Sequence, residues 1–189
     1  EHITRVIDPR DNESFVTTTM LISKGRTVFI GDTSIHERPT GTELASIAET
    51  IAAKSASLGS VPRVAFLSFS NFGNPKSDIT SASQDAVTVL DHKDVPFEYE
   101  GEMTANVALD YNLMRDRYPF SRLNGPANIL IMPGLHSANI SFNLMQQLGG
   151  GSVIGPMMLG AKYPFQIVQM GSSVNDVVTA AALAAYEAL

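Results

Sequence analysis

Strand-like and helix-like segments alternate along the chain after residue 60, and this alternation constrains the fold more than any other feature. Short apolar runs at 64–67 and 129–132 are each followed by a polar exit and then by a stretch with helical periodicity. Parallel strands need crossover connections, which helices usually supply. The pattern therefore predicts an α/β fold with a mostly parallel sheet flanked by helices.

The first 60 residues add an antiparallel element to this sheet. Residues 15–31 contain two β-rich runs on either side of the turn at 23–26, which predicts an early β-hairpin and makes the sheet mixed. Thr40 and Glu43 then have capping-box spacing, and apolar residues follow with helical periodicity up to Gly59.

Further elements follow from the same reasoning. Helices are predicted over about 80–91 and 104–116, and strands over 97–100, 153–154 and 166–169. A helix after residue 132 places Ile140, Leu144, Met145 and Leu148 on one apolar face and stops at the glycines 149–151. The C-terminal helix is predicted to start near Ser172 or Ser173.

Bulk composition excludes several classes of function. The 189 residues carry a formal net charge of -6 without a basic cluster, which argues against nucleic acid and anionic membranes as partners. No apolar run approaches the roughly 20 residues of a membrane span. Cysteine is absent, so disulfides and thiolate chemistry are excluded, and we expect a cytoplasmic location. The start without Met predicts a piece of a longer protein.

Ser68, Ser70 and Asn71 are the first candidate ligand-binding residues. They leave a buried strand, and hydroxyl groups beside free backbone N–H groups suit a phosphate or an acyl carbonyl oxygen. The alternative is a loop whose side chains satisfy only its own backbone.

His136 and Asn139 are the second candidates, because they lie at a predicted helix start, where the helix dipole favours an anion. A capping role for Ser137 or Asn139 would explain the same residues without a ligand.

The third candidate is Gly155 with Pro156, where a flat ligand could approach the backbone closely. The glycines at 149–151 are interpreted as a tight turn instead. Glu98, Glu100 and Glu102 alternate along a strand and could bind a cation, but a solvated sheet edge is the favoured interpretation. The four histidines have no metal-ligand spacing, so we assign no metal site.

Four segments together resemble a known family. They are DTSIHERPTGTELASIA at 32–48, SFSNFG at 68–73, EGEMTANVAL at 100–109 and MPGLHSANISFNLMQQLGGGSVIGPMMLG at 132–160. The first looks like the family pattern D-T-x-x-N-x-x-P-T. In this order they resemble the C-terminal phosphotransacetylase-like domain of the hybrid NADP-dependent malic enzymes.

The resemblance implies a lobed fold of the isocitrate/isopropylmalate dehydrogenase-like type. By this likeness residues 1–163 form the second lobe of a phosphotransacetylase, and residues 164–189 return to the first lobe as a strand and helix. Most of the first lobe and the N-terminal malic enzyme domain would then lie elsewhere in the polypeptide. NADP and a divalent metal would belong to that domain, so no cofactor is expected here.

Departures from the family pattern argue against catalysis by this chain. Active phosphotransacetylases have a Ser-Arg-Gly segment before a V-x-D helix start, whose Asp acts on the CoA thiol. Gly171, Val174 and Asp176 match this pattern, but Gln169 and Met170 replace the serine and the arginine. Losing one such donor typically costs about 3–4 kcal/mol of transition-state stabilisation. The related P-D-L-N-T-G-N loop is also altered at 133–139.

The resemblance therefore implies a non-catalytic domain that binds acetyl-CoA as an effector, regulates an attached NADP-dependent malic enzyme and forms homo-oligomers. An active phosphate acyltransferase that moves acetyl between CoA and phosphate is the alternative, and a pure oligomerisation domain is the third possibility. The expected ligand-binding residues are Ser68, Ser70, Asn71, His136, Asn139, Gly155, Pro156, Gln169, Met170 and Asp176.

Overall fold

The computed structural model describes residues 6–11, 13–148, 151–168 and 170–188. Its strands are β1 (Val16–Ser23), β2 (Arg26–Gly31), β3 (Arg63–Leu67), β4 (Glu98–Met103), β5 (Ile129–Ile131) and β6 (Ser152–Leu159). Its helices are α1 (Gly41–Ser57), α2 (Ser81–Asp91), α3 (Ala105–Leu109), α4 (Tyr111–Arg117), α5 (Leu135–Leu148) and α6 (Val174–Glu187). A 3-10 turn (Asp78–Thr80) precedes α2.

All six strands form one sheet in the order β4-β3-β5-β2-β1-β6. The pairs β3/β4, β3/β5 and β2/β5 are parallel. β1 is antiparallel to both β2 and β6, so the predicted early hairpin is confirmed and the sheet is mixed. The predicted α/β class is confirmed.

Helices cover both faces of the sheet and enclose two apolar cores. On one face α1 and α2 pack against the sheet around side chains such as Phe29 and Phe66. On the other face α3, α4 and α5 bury a second cluster that includes Ile30, Met103 and Leu123. This arrangement leaves the loops at the strand ends free to carry ligand-binding groups.

The predicted capping box starts α1. The Thr40 hydroxyl accepts a hydrogen bond from the backbone N–H of Glu43, and the Glu43 carboxylate accepts one from the backbone N–H of Thr40 at 2.7 Å. Two backbone donors at the helix start are thereby satisfied.

The helix predicted over 104–116 is divided into α3 and α4. Asp110 lies between them and its side chain accepts the backbone N–H of Leu113 at 3.1 Å, so it caps α4. A short polar side chain that bonds its local backbone ends one helix and begins the next.

The apolar face of α5 is largely exposed. Ile140, Leu144 and Leu148 are all exposed, and Met145 is only partly buried against the core. The buried residues of α5 are Ala138 and Phe142, one turn apart on a different line along the helix. The predicted stop at Gly149 and Gly150 lies outside the described residues.

The strand predicted over 166–169 is wrong for residues 166–168, which form no strand. Gln166 instead caps β6 through its side chain, accepting the backbone N–H of Met158 at 2.9 Å and donating to its carbonyl at 3.3 Å. This side-chain amide occupies the backbone groups that a neighbouring strand would use. Gln169 lies outside the described residues.

The C-terminal helix starts where the sequence predicts. Ser173 caps α6 and shares a capping box with Asp176. None of the helices that the structure describes is both long enough and apolar enough to cross a membrane. No described feature tests the lobe boundary at residues 163 and 164, which stays a prediction.

Candidate functional site

Three loops meet at the carboxyl edge of the parallel strands. They follow β2, β3 and β5, which are neighbours in the sheet. Ligands of open α/β sheets bind at this edge. Leu135, at the start of α5, donates its backbone N–H to the carbonyl of Glu37 at 3.2 Å, so the loops after β5 and β2 are in contact.

The loop after β3 carries Ser68, Ser70 and Asn71. The Ser70 side chain is fully buried and its hydroxyl donates to Glu102 Oε1 at 2.6 Å. Asn71 Oδ1 accepts from the backbone N–H and the hydroxyl of Thr104 at 2.9 and 3.0 Å. These bonds hold the loop against the end of β4, which favours the structural alternative for Ser70 and Asn71. Ser68 is half-buried and stays a candidate contact.

Glu102 is the buried anchor of this loop. Its Oε1 also accepts the backbone N–H of Gly73 at 2.8 Å, and its carbonyl accepts that of Phe72. Its Oε2 accepts no hydrogen bond from the part of the chain that the structure describes. Glu102 is fully buried and Glu100 nearly so, which means that the prediction of a solvated edge for the glutamates of β4 is wrong.

The other two glutamates of β4 are used in internal contacts. Glu100 accepts the backbone N–H of Arg122 at 2.9 Å and pairs with its guanidinium. Glu98 accepts the backbone N–H of Asn124 at 2.8 Å. Because the three carboxylates have separate protein partners, they do not converge on a cation. Within the described residues no group of three or more acidic or histidine side chains is arranged to hold a metal ion.

His136 and Asn139 lie in the first turns of α5, as predicted, and both are exposed. Asn139 accepts two hydrogen bonds from the Asn143 side chain, at its carbonyl and at its own amide oxygen. Ser137 lies within the first turn of α5, after the cap position, and its hydroxyl donates to the carbonyl of Gly134 at 2.8 Å. His136 is the member of this pair that remains open to a ligand.

A second group of predicted residues lines a groove of about 600 Å³ between β6 and α6. This group is Gly155, Pro156, Met170 and Asp176. A side chain at Gly155 would place its Cβ 3.0 Å from the carbonyl oxygen of Thr18. The close packing of β6 on β1 therefore requires glycine at this position of the groove wall.

The groove contains no cation among the described residues. Asp176 is the charged residue on its walls, and Met170 is fully exposed at its rim. Asp176 Oδ2 accepts both the backbone N–H and the hydroxyl of Ser173 at 2.8 Å. These hydrogen bonds lower the pKa of Asp176, so its carboxylate is a weaker base than an ordinary aspartate.

The predicted residues thus form two groups instead of one site. Ser68, Ser70, Asn71, His136 and Asn139 belong to the edge after β3 and β5, whereas the groove is at β6. Three strand spacings separate β5 from β6, about 14 Å at the usual spacing of 4.8 Å.

An aspartate–histidine pair also lies at this edge of the sheet, and it was not among the ligand-binding residues predicted from the sequence. Asp32 follows β2 directly and is 3% exposed. Its Oδ2 lies 2.5 Å from Nδ1 of His36. His36 stands where the family pattern D-T-x-x-N-x-x-P-T has asparagine, and this departure is the sequence signal that could have identified the position.

Comparison with known proteins agrees with the fold and the motifs. The sequence profile of the family described as Phosphate acetyl/butaryl transferase matches residues 1–185. The chain belongs to this phosphate acetyl/butyryl transferase family. The expected family relationship is therefore confirmed.

Relatives of the chain differ in how much of their own length it covers. An NADP-dependent malic enzyme of Rhizobium meliloti is 45% identical over 188 residues, which are 100% of this chain and 25% of that protein. The phosphate acetyltransferase of Bacillus subtilis is 28% identical over 186 residues, 98% of this chain and 58% of that protein. The chain thus spans about a quarter of the first and somewhat more than half of the second.

A solved transferase structure has the same fold. The EutD phosphotransacetylase from Staphylococcus aureus superposes with a TM-score of 0.90 at 28% identity, covering 98% of this chain and 58% of that chain. The resemblance to the phosphotransacetylase-like part of malic enzymes is confirmed by these matches together. Catalytic members of the phosphate acetyl/butyryl transferase family are similar to the same residues.

Proposed function

We propose that this chain is the regulatory domain of an NADP-dependent malic enzyme, and that it binds acetyl-CoA without transferring the acetyl group. It also supplies a surface for self-association. Oxidative decarboxylation of malate to pyruvate would be the work of an N-terminal malic enzyme domain, with its NADP and divalent metal. The greater identity to a malic enzyme than to a phosphate acetyltransferase supports this assignment.

One observation carries the non-catalytic part of the proposal: no lysine or arginine among the described residues lines the groove. Acyl transfer between CoA and phosphate develops negative charge on oxygen, and positive groups aimed at that charge provide much of the rate. Met170 stands at the position of the family arginine and cannot provide such a group.

Asp176, at the position of the base in the family, also supports a non-catalytic domain. The carboxylate that acts on the CoA thiol in the family is here bonded to the cap of α6, and its lowered pKa makes it a poorer proton acceptor. A retained aspartate is thus explained by helix capping alone.

The groove still suits the neutral part of a CoA thioester. Apolar residues of β6 such as Ile154 line one wall, while Ser172, Asn175 and Thr179 provide hydroxyl and amide groups on the other. Small-molecule sites combine such apolar walls with a few polar groups that fix orientation. Shape and hydrogen bonding can therefore survive where the charge needed for transfer has been lost.

An active phosphate acyltransferase is the second candidate, favoured by the retention of Gly171 and Asp176 and by the similarity to catalytic transferases. It requires a cation from another part of the polypeptide to take the place of Met170. Formation of acetyl phosphate by the full-length protein at transferase-like rates would support this candidate and contradict our proposal.

Calorimetric titration of acetyl-CoA into the full-length protein, with malate turnover measured in parallel, tests the proposal. We expect saturable binding and a change in malate turnover over the same concentration range, because effector and substrate must be coupled. Ala180→Trp fills the groove and should abolish both effects, whereas Ala185→Trp, an exposed position outside the groove, should preserve them. Absence of binding and of any change in turnover would overturn the proposal. Unchanged self-association in that case would favour a pure oligomerisation domain.

A further inference from the structure

We propose that His36 is a ligand-binding residue whose Nε2 atom donates a hydrogen bond to a phosphoryl group at the carboxyl edge of the sheet. For acetyl-CoA this group would be one of its phosphates, and in that form the inference rests on the proposed function. The chemistry applies equally to free phosphate.

Asp32 is held in place by several donors besides the His36 ring. Its Oδ1 accepts the backbone N–H groups of Thr17 at 3.2 Å and Ser34 at 3.1 Å, and its Oδ2 accepts that of His36 at 3.0 Å. The Thr17 hydroxyl also donates to Oδ1. Three backbone donors and a hydroxyl thus hold this carboxylate in addition to the ring.

The carboxylate orients the ring. With Nδ1 2.5 Å from Asp32 Oδ2, the proton on Nδ1 points to the carboxylate and Nε2 points away from it. The His36 side chain is 17% exposed, so the ring is packed but still reachable from solvent. A ring fixed in this way presents one directed polar atom to a ligand.

Charge on the ring favours an anionic acceptor. The hydrogen bond to Asp32 is the main cause that raises the pKa of His36, and the charges of Asp32 and of Glu43 on α1 raise it further, while burial lowers it. The raised pKa favours the protonated ring, in which Nε2 carries a proton. The pair with Asp32 is neutral overall, so it offers a directed N–H donor and not a broad positive field.

The position fits a ligand that also uses the groove. The groove lacks a cation within the described residues, so the phosphates of a bound CoA ester need donors elsewhere. β1 alone separates the strand of the groove, β6, from β2, which leads to His36. Two strand spacings amount to about 10 Å across the sheet. The groove residues Ser152–Ile154 pair with Met20–Ile22, whereas Asp32 contacts Thr17 further along β1, so the pantetheine arm of CoA would also have to run along the strands.

Calorimetric titrations of the full-length protein test this assignment with four ligands: acetyl-CoA, adenosine 3′,5′-bisphosphate, inorganic phosphate and S-acetylpantetheine, which has no phosphate. His36→Asn restores the residue of the family pattern, and His92→Asn changes an exposed histidine just after α2. We expect His36→Asn to weaken the binding of a phosphate-containing ligand at this position by about tenfold, because a charge-assisted hydrogen bond is lost. Binding of S-acetylpantetheine should not change, and His92→Asn should behave as wild type.

The unmutated protein provides a second measurement. Its affinity for the phosphate-containing ligand should fall as the pH rises above 7, while that of His36→Asn should fall less. An equal loss for S-acetylpantetheine, or an unchanged affinity for every phosphate-containing ligand, would show that His36 only packs against the loop. If acetyl-CoA binds with the same affinity to wild type and to His36→Asn, the inference about His36 is overturned and the proposed function is not. Phosphate binding that needs His36, without any binding of acetyl-CoA, would overturn the proposed function alone.

Discussion

Lys54 and Glu187 form a largely buried ion pair, with 2.7 Å between Nζ and Oε1, that joins the last turn of α1 to the last turn of α6. The side chains are 7% and 13% exposed. α6 has no fully buried residue, so this pair and the hydrogen bond from the Tyr186 hydroxyl to the Ser57 carbonyl, at 2.8 Å, are its main polar attachments. The C-terminal wall of the groove is therefore positioned by contacts at the far end of its helix.

Glu187→Gln should detach this end of α6, because it leaves the Lys54 ammonium buried without a counter-charge. Breaking a buried pair in this way costs about 3–5 kcal/mol, and the residual exposure here places the expected loss near the lower value, about 3 kcal/mol. Urea unfolding would measure it.

Glu49→Gln is the matched control, since its partner Lys93 lies in an exposed pair. A change of less than about 1 kcal/mol is expected there. Equal effects of the two substitutions would show that the Lys54 pair does not hold α6.

Ser70→Ala should destabilise the loop after β3 by about 1–3 kcal/mol, because it removes a donor from the buried Glu102 carboxyl group. Ser68→Ala, at a half-buried position of the same loop, should change the free energy of unfolding by less than about 0.5 kcal/mol. Chemical denaturation of both variants gives the comparison. A larger effect at Ser68 would contradict the assignment of Ser70 as the anchor.

The regular elements could be predicted because each depends on local chemistry. The caps of α1 and α6 each lie within four residues of sequence, at Thr40 with Glu43 and at Ser173 with Asp176. The hairpin likewise follows from its own turn. The predicted strand at 166–169 failed for the opposite reason, because a strand needs a partner and Gln166 had already taken the backbone groups of Met158.

The candidate site was harder to predict because its residues are paired across long stretches of chain. Glu102 meets Ser70 over 32 positions, and Asp32 meets Thr17 over 15. Alternation along β4 suggested three equivalent glutamates at a solvated edge, yet only the fold supplies Arg122 and Ser70 as their separate partners. The groove residues Met170 and Asp176 were found through the family pattern, not through periodicity.

The stability of the Asp32–His36 pair should depend on pH with a definite sign. The pKa of His36 is raised above its ordinary value of 6.5, mainly by the hydrogen bond to Asp32. The contribution of this pair to the free energy of unfolding is therefore fully present below pH 6.5. It is lost as the pH rises through the higher pKa that His36 has in the folded state. Wild type should exceed His36→Asn in stability most below pH 6.5 and by progressively less as the pH rises above that value.

Asp32 titrates outside that window. Burial alone would raise the pKa of Asp32, but the hydrogen bonds from His36, Thr17 and Ser34 together lower it below 3.8. The contribution of Asp32 to stability is present above the pKa that it has in the unfolded chain. It is lost only as the pH falls through the lower pKa of the folded state. Urea unfolding of wild type, His36→Asn and His92→Asn between pH 5 and 9 therefore isolates the histidine. A stability difference between wild type and His36→Asn that does not vary with pH would show that the ring stays neutral.

The exposed apolar side of α6 should mediate self-association of this 189-residue chain. The exposed apolar residues of this helix include Val174, Val177, Val178 and Ala181. Contiguous apolar surface of this kind is usually covered by a partner, and burial of one valine is worth about 1.5–3 kcal/mol. Val178→Asp should therefore raise the dissociation constant of the oligomer by about tenfold or more, measured by analytical ultracentrifugation. Asn175→Asp adds the same charge at a neighbouring polar position and should leave the oligomer intact. A wild-type protein that is monomeric and freely soluble at high concentration would contradict this role for α6.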